Sequence, residues 1–143
     1  MDWFTYLVDA ANSPAPTGAG ANLAPAGVSQ PTLQIDSGTD FYLIALSVQA
    51  QVNAAGGLEE STNLIPLVTM QMNDSGSQRN LFSAALPLMA IAGDGKRPYR
   101  LTRPRLFRAN SSIAFTFTSL EPNAGTTYSH VFVLLHGYRK FAS

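Results

Sequence analysis

At 143 residues the chain is long enough for one domain with its own core and leaves little room for a second. Only 13% of the residues are charged, against about a quarter in ordinary soluble domains; the formal net charge is zero and cysteine is absent. Disulfides, thiolate metal sites and thiol catalysis are therefore excluded, and a surface this short of charge points to a protein covered by partners in its working state.

The zero net charge hides an asymmetry. Residues 1 to 78 carry seven acids (Asp2, Asp9, Asp36, Asp40, Glu59, Glu60, Asp74) and no Lys or Arg, whereas residues 79 to 143 carry all nine bases against Asp94 and Glu121, a balance of −7 against +7. Either the halves lie against each other in one fold, or the acidic side of one copy meets the basic side of the next in a homo-oligomer.

The N-terminus opens on Trp3, Phe4, Tyr6, Leu7 and Val8, a dense apolar tip with no basic n-region before it. Neither a secretory signal nor a run approaching the ~20 apolar residues of a bilayer span is found, so no membrane partner is expected. Ala10 to Pro31 then reads AANSPAPTGAGANLAPAGVSQP, whose four prolines and three glycines favour an extended tether. Residues 1–30 thus read as an extended N-terminal arm and residues 31–143 as a single domain. On this reading Trp3, Phe4, Tyr6 and Leu7 plug a groove on a partner; the competing reading gives the domain its own edge strand.

From Pro31 onward β-patterning becomes regular. Thr32 to Ile35 reads as a strand, Asp36-Ser37-Gly38 as a turn, and Asp40 to Val52 as a long strand with Tyr42, Ile44, Leu46 and Val48 on one face. Asn53 to Gly57 carries a loop signal and Leu58 to Thr62 reads as a turn or helical piece. Leu64 to Met72 is a strand closed by the turn-rich Asn73 to Ser77. Leu81 to Ile91 is read as a strand ended by Ala92 to Gly95. Arg97 to Phe107 is extended, but Pro98 and Pro104 confine it to a sheet edge or a loop. Ile113, Phe115 and Phe117 alternate with small polar residues in the cleanest half-buried strand. A turn at Glu121 to Gly125 leads to a last long strand from Thr127 to His136. Many short strands with Gly, Pro and Asn turns predict an all-β fold, an antiparallel β-sandwich or jelly-roll.

Catalytic and metal constellations fail on spacing. His130 and His136 share a strand face but stand about 20 Å apart, too far to hold one ion. Ser129 and His130 point to opposite faces, and Glu59-Glu60 is an adjacent pair in a loop. Gly93-Asp94-Gly95-Lys96 lacks the remaining residues of a phosphate loop. No cofactor is therefore expected, and no enzymatic activity. The strongest binding patch is Lys96, Arg97, Arg100, Arg103, Arg105 and Arg108, with Tyr99 and Phe107 between them. Arg97, Arg103 and Arg105 have one strand parity and Arg100 and Arg108 the other, so no single face collects the cations, which disfavours nucleic acid and favours protein contact.

The stretches IPLVTMQMNDSGSQRNLF, PLMAIAGDGKRPYRLTRPRLFRANSSIAFTFTSLE and YSHVFVLLHGYRKF, between Leu64 and Phe141, resemble small virion structural proteins of tailed bacteriophages. The shared elements are Arg79-Asn80 after a polar turn, the segment from Pro98 to Phe107, Asn110-Ser111 at a strand start and Gly137 near the end. The resemblance implies a non-enzymatic capsid cement or decoration protein, made in the host cytoplasm and carried on the virion, whose partners are the major capsid protein and copies of itself. A neck or tail adaptor and a carbohydrate-binding module using Tyr99 or Tyr128 are the alternatives.

Overall fold

The computed structural model describes residues 2–10, 23, 24, 26–53, 59–61, 66–93, 97–121 and 128–141. Its strands are β1 (Asp2–Asp9), β2 (Val28–Ser29), β3 (Thr32–Gln34), β4 (Thr39–Asn53), β5 (Glu59–Ser61), β6 (Val68–Asp74), β7 (Arg79–Asn80), β8 (Leu86–Pro87), β9 (Tyr99–Phe107), β10 (Ser112–Ser119) and β11 (Tyr128–Phe141), with one helical turn, α1 (Leu88–Ile91), before β9. The front sheet runs β1-β11-β4, and β4 pairs β9 along its first half and β5 at its far end. In the back sheet β2 and β3 lie along β10, β10 pairs β6, and β6 pairs β7 and β8. Every strand-to-strand ladder is antiparallel.

With β2 and β3 taken as one interrupted strand, β7 and β8 as another, and the short β5 set aside, the front sheet holds the first, eighth, third and sixth strands in that order. The back sheet holds the second, seventh, fourth and fifth. That is the strand order of a jelly roll, in which almost every connection crosses from one sheet to the other.

Alternation builds the core between the sheets. Phe41, Leu43, Val131, Val133 and Leu135 from the front meet Met70, Met72, Ile113, Phe115 and Phe117 from the back, all essentially sealed from solvent. The rings of Phe115 and Phe117 stack at 5.7 Å, as expected of residues two apart on one strand face. Burying side chains of this size contributes about 1.5–3 kcal/mol each.

Three local expectations are corrected. Tyr42, Ile44, Leu46 and Val48 do not share a face, because the pairing of β4 with β9 shifts register between Leu43 and Ala45, matched in its pairing with β11 by a shift between His136 and Gly137, and this switches the parity of β4. Phe41 and Leu43 point inward before the shift and Leu46 after it, while Tyr42 stacks on Tyr138 at 4.9 Å on the outer side. Leu58 to Thr62 contains strand β5 rather than a helical piece. Leu81 to Ile91 is not one strand but bends, the two-residue β8 and α1, whose Leu88 and Ile91 insert into the core.

The N-terminus is corrected as well. Residues 2 to 9 pair with β11 without a break in register, and Tyr6 and Val8 are core residues, so the tip is an edge strand of the domain. The domain also begins before Pro31. Leu23 is buried and bridges Tyr128 through paired backbone bonds, and Val28–Ser29 pairs with β10. Most of the expected tether, the loop after Asn53, residues 94–96 and most of the turn after Glu121 lie outside the described residues.

Candidate functional site: the outer face of the front sheet

Strand alternation divides the apolar N-terminal residues between two environments. Phe4 and Tyr6 turn inward, their rings edge-to-face at 4.7 Å, and Tyr6 meets Phe41 edge-on at 4.9 Å. The Arg139 guanidinium lies 3.9 Å above the Phe4 ring. The Tyr6 hydroxyl accepts the Asp36 N–H at 3.2 Å, and burial pushes its phenol pKa up. Phe4 and Tyr6 are therefore committed to the domain, against the expectation that they contact a partner. Trp3 and Leu7 turn outward and are 76% and 54% exposed.

The arginines are spread along the opposite edge of the same sheet. Arg97, Arg100, Arg103 and Arg108 are exposed and Arg105 is half-buried; Lys96 lies outside the described residues. Between its two pairings with β4, around Arg105 and around Arg100, β9 departs from the ladder, and Leu101 to Pro104 form the departing stretch. Arg108 approaches Asp40 at 3.6 Å, while the other carboxylate oxygen of Asp40 accepts the Ala109 N–H at 2.8 Å. With Arg139 and Asp36 at 3.1 Å, two ion pairs join the acidic and basic halves inside one fold.

Register brings Trp3 and Arg100 together. Thr5, His136, Ala45 and Arg100 lie in a row across β1, β11, β4 and β9. Around this row an open depression of about 140 Å³ is lined by Trp3, Ile44, Ala45, Pro98, Arg100 and His136. It is smaller than the several hundred Å³ typical of sites for whole ligands. Its chemistry, an indole, a guanidinium and aliphatic walls, suits a single apolar or acidic side chain of another protein.

His136 is held from both sides. Its Nε2 lies 2.8 Å from the Ser47 hydroxyl and its Nδ1 3.2 Å from the Thr5 hydroxyl. Burial lowers its pKa, favouring the neutral ring, which donates at one nitrogen and accepts at the other. Ser47 and His136 have the separation of a nucleophile and its base, but Ser47 is 2% exposed and does not line the depression. His130 stands further along the same face, its Nδ1 2.7 Å from Asp9 and its ring stacked on Phe132 at 4.9 Å. Among the described residues, no three His, Asp or Glu side chains gather as a metal site would require, and no helix is long and apolar enough to cross a membrane.

Sequence reasoning named Trp3 and Arg100 but missed Ile44, Ala45, Pro98 and His136 as their neighbours. The signal lay in strand register, which pattern alone leaves open. Tyr128, weighed as a sugar contact, is buried; its hydroxyl donates to Glu121 at 2.9 Å and accepts the Leu67 N–H at 2.9 Å. No family model, curated protein or solved structure matches the chain.

Proposed function

We propose that this protein is a non-enzymatic virion structural protein, of the capsid cement or decoration type, that bridges neighbouring capsid subunits. The observation that carries the reading is the outer face of the front sheet. A sheet in a sandwich ordinarily alternates apolar inward with polar outward residues. Here Trp3, Leu7, Tyr42, Ile44, Phe132, Leu134 and Tyr138 are on the outward side or at its parity switch, with Asp9 along one margin and Arg100 along the other. An apolar face flanked by opposite charges suits oriented contact with another protein. The jelly-roll order fits the reading, since viral capsid domains use it, although lectin domains do too.

The test is stoichiometry on purified particles of the phage that encodes the chain, by quantitative mass spectrometry. The expected result is a copy number comparable to that of the major capsid protein. A single ring's worth of copies would replace this reading with a neck or tail adaptor, and absence from the particle would end both.

A further inference from the structure

We propose that β1 is a self-pairing strand, and that two copies of this chain join edge to edge in antiparallel register about Thr5, fusing their front sheets into one. The inference is independent of the capsid reading and rests on three observations.

The first is that the edges of the two sheets are not treated alike. The β9 edge carries Pro98, Pro104, several arginines and a stretch displaced from its ladder. In the back sheet, β2 and β3 are two and three residues long with Pro31 between them, and β7 and β8 are two residues each, with Pro87 in β8. Short strands, prolines, irregularities and positive charge are the devices that keep sheet edges from pairing with other chains. The strand β1 has none of them. It runs eight residues in uninterrupted register with β11, without Pro, Lys or Gly, and among the described residues no strand lies on its other side.

The second is the direction of its backbone groups. The Ala10 N–H donates to the Val131 carbonyl at 3.0 Å, and the Val131 N–H points to the same side, where the Asp9 carboxylate accepts it at 3.1 Å, so Ala10 and Val131 stand at a position of the ladder where backbone groups face each other. In an antiparallel ladder such pairs alternate with non-bonded ones. Val8, Tyr6 and Phe4 therefore direct their N–H and C=O groups to β11, and Leu7, Thr5 and Trp3 direct theirs away from the sheet. The opposite side of β11 agrees: Val48 and Leu46 exchange bonds with Gly93, so Ser47 and its partner Leu134 form the bonded pair between β4 and β11.

The third is self-complementarity. With a two-fold axis at Thr5, Trp3 of one copy lies opposite Leu7 of the other, and Thr5 opposite Thr5. All are residues with outward backbone groups, which together form about six hydrogen bonds. On the outer side, the exposed Trp3 and Leu7 cover each other at both ends of the pairing. On the inner side Phe4 falls opposite Tyr6, extending the aromatic row already formed by Phe4, Tyr6 and Phe41. Asp2 falls opposite Val8, so no carboxylate faces another. A two-fold interface requires this kind of match between one patch and its own copy.

The test is the mass of the purified full chain, without an N-terminal tag, by sedimentation equilibrium, together with two variants. Thr5→Pro removes an outward N–H and leaves the backbone bonds to β11 in place, giving up only the Thr5 hydroxyl contact with His136; Leu7→Glu changes only an exposed side chain and places a charge opposite Trp3. The wild-type chain is expected to be a dimer of the 15.3 kDa protomer. Each variant should weaken the dimer by about tenfold or more while keeping the wild-type circular dichroism spectrum, so that misfolding is excluded by measurement. Because the chain lacks cysteine, Thr5→Cys supplies a unique thiol that should form a covalent dimer on mild oxidation, and Thr116→Cys on the back sheet should not. A wild-type chain still monomeric at about 0.5 mM overturns the proposal. So does a dimer indifferent to both edge variants, or T116C cross-linking as readily as T5C.

Discussion

The hydroxyl of Ser47 on β4 meets Nε2 of His136 on the neighbouring strand β11 at 2.8 Å, and Thr5 on β1 closes the other ring nitrogen at 3.2 Å. Burial disfavours the charged ring and holds its pKa below the ordinary 6.5. The folded protein therefore binds this proton less readily than the unfolded chain. The resulting contribution to stability is present above pH 6.5 and is lost as pH falls through the window between 6.5 and the lowered value. An NMR titration should give His136 a midpoint below 6.5, and His136→Gln should reduce the loss of urea resistance on acidification. A midpoint at or above 6.5 contradicts the neutral, hydroxyl-held ring.

Tyr128 supplies a second titration, at the other end of the pH scale. Burial is the main cause of a phenol pKa pushed up to about 12, and the hydroxyl is engaged by the Leu67 N–H and Glu121. Here the folded value exceeds the unfolded 10.0, so the contribution is present below pH 10 and lost as pH climbs toward about 12. Tyr128→Phe should cost about 1–3 kcal/mol, by leaving the Leu67 N–H without its acceptor. It should also remove a phenol that ionises well above pH 10 from an ultraviolet titration. A variant as stable as the parent would mean that solvent replaces the hydroxyl at no cost.

Gly137 stands where the β11 register shifts against β4. A Cβ there would lie 2.0 Å from the Tyr42 carbonyl oxygen and 3.0 Å from the Phe41 ring. Backbone cannot yield as a flexible side chain can, so Gly137→Ala should cost about 3 kcal/mol or more, lowering the melting temperature by roughly 6–12 °C. Gly38 is the control. Its φ of +84° strains any side chain, but nothing lies within 4 Å of its Cβ position, and Gly38→Ala should cost only about 1–2 kcal/mol. Equal losses at the two positions would show that the Tyr42 carbonyl and the Phe41 ring give way to the added methyl, since Gly137 has no positive φ to strain.

The all-β class was legible because Ile113, Phe115 and Phe117 alternate with small or polar residues on a strand with one buried face. The parity of β4 was not, since an extra residue at Ile44 flips every following side chain without marking the composition. The strand character of β1 was obscured for another reason. Both of its faces are apolar, Phe4, Tyr6 and Val8 inward and Trp3 and Leu7 outward, so its period of two is invisible and it reads as an undivided apolar tip. The site was less legible than the fold: Trp3, Arg100 and His136 lie far apart in sequence and meet only through the alignment of four strands.

Removal of β1 tests that division directly. An extended arm would leave a folded domain behind, but deletion of residues 1 to 10 here takes Tyr6 and Val8 out of the core and uncovers the length of β11. The truncated chain should therefore melt far below the parent or aggregate through its new edge. Point changes separate the two faces. Tyr6→Ala should cost about 3–5 kcal/mol, as for other buried aromatics, and Phe4→Ala should cost less because Phe4 is only half-buried. Trp3→Ala should stay within about 0.5 kcal/mol when measured at a protein concentration low enough to hold the chain as a monomer. The three melting curves, read with that of the truncated chain, distinguish a strand from a tethered plug. A truncated domain that melts with the parent, together with a Tyr6→Ala variant of unchanged stability, would detach β1 from the core and restore the arm.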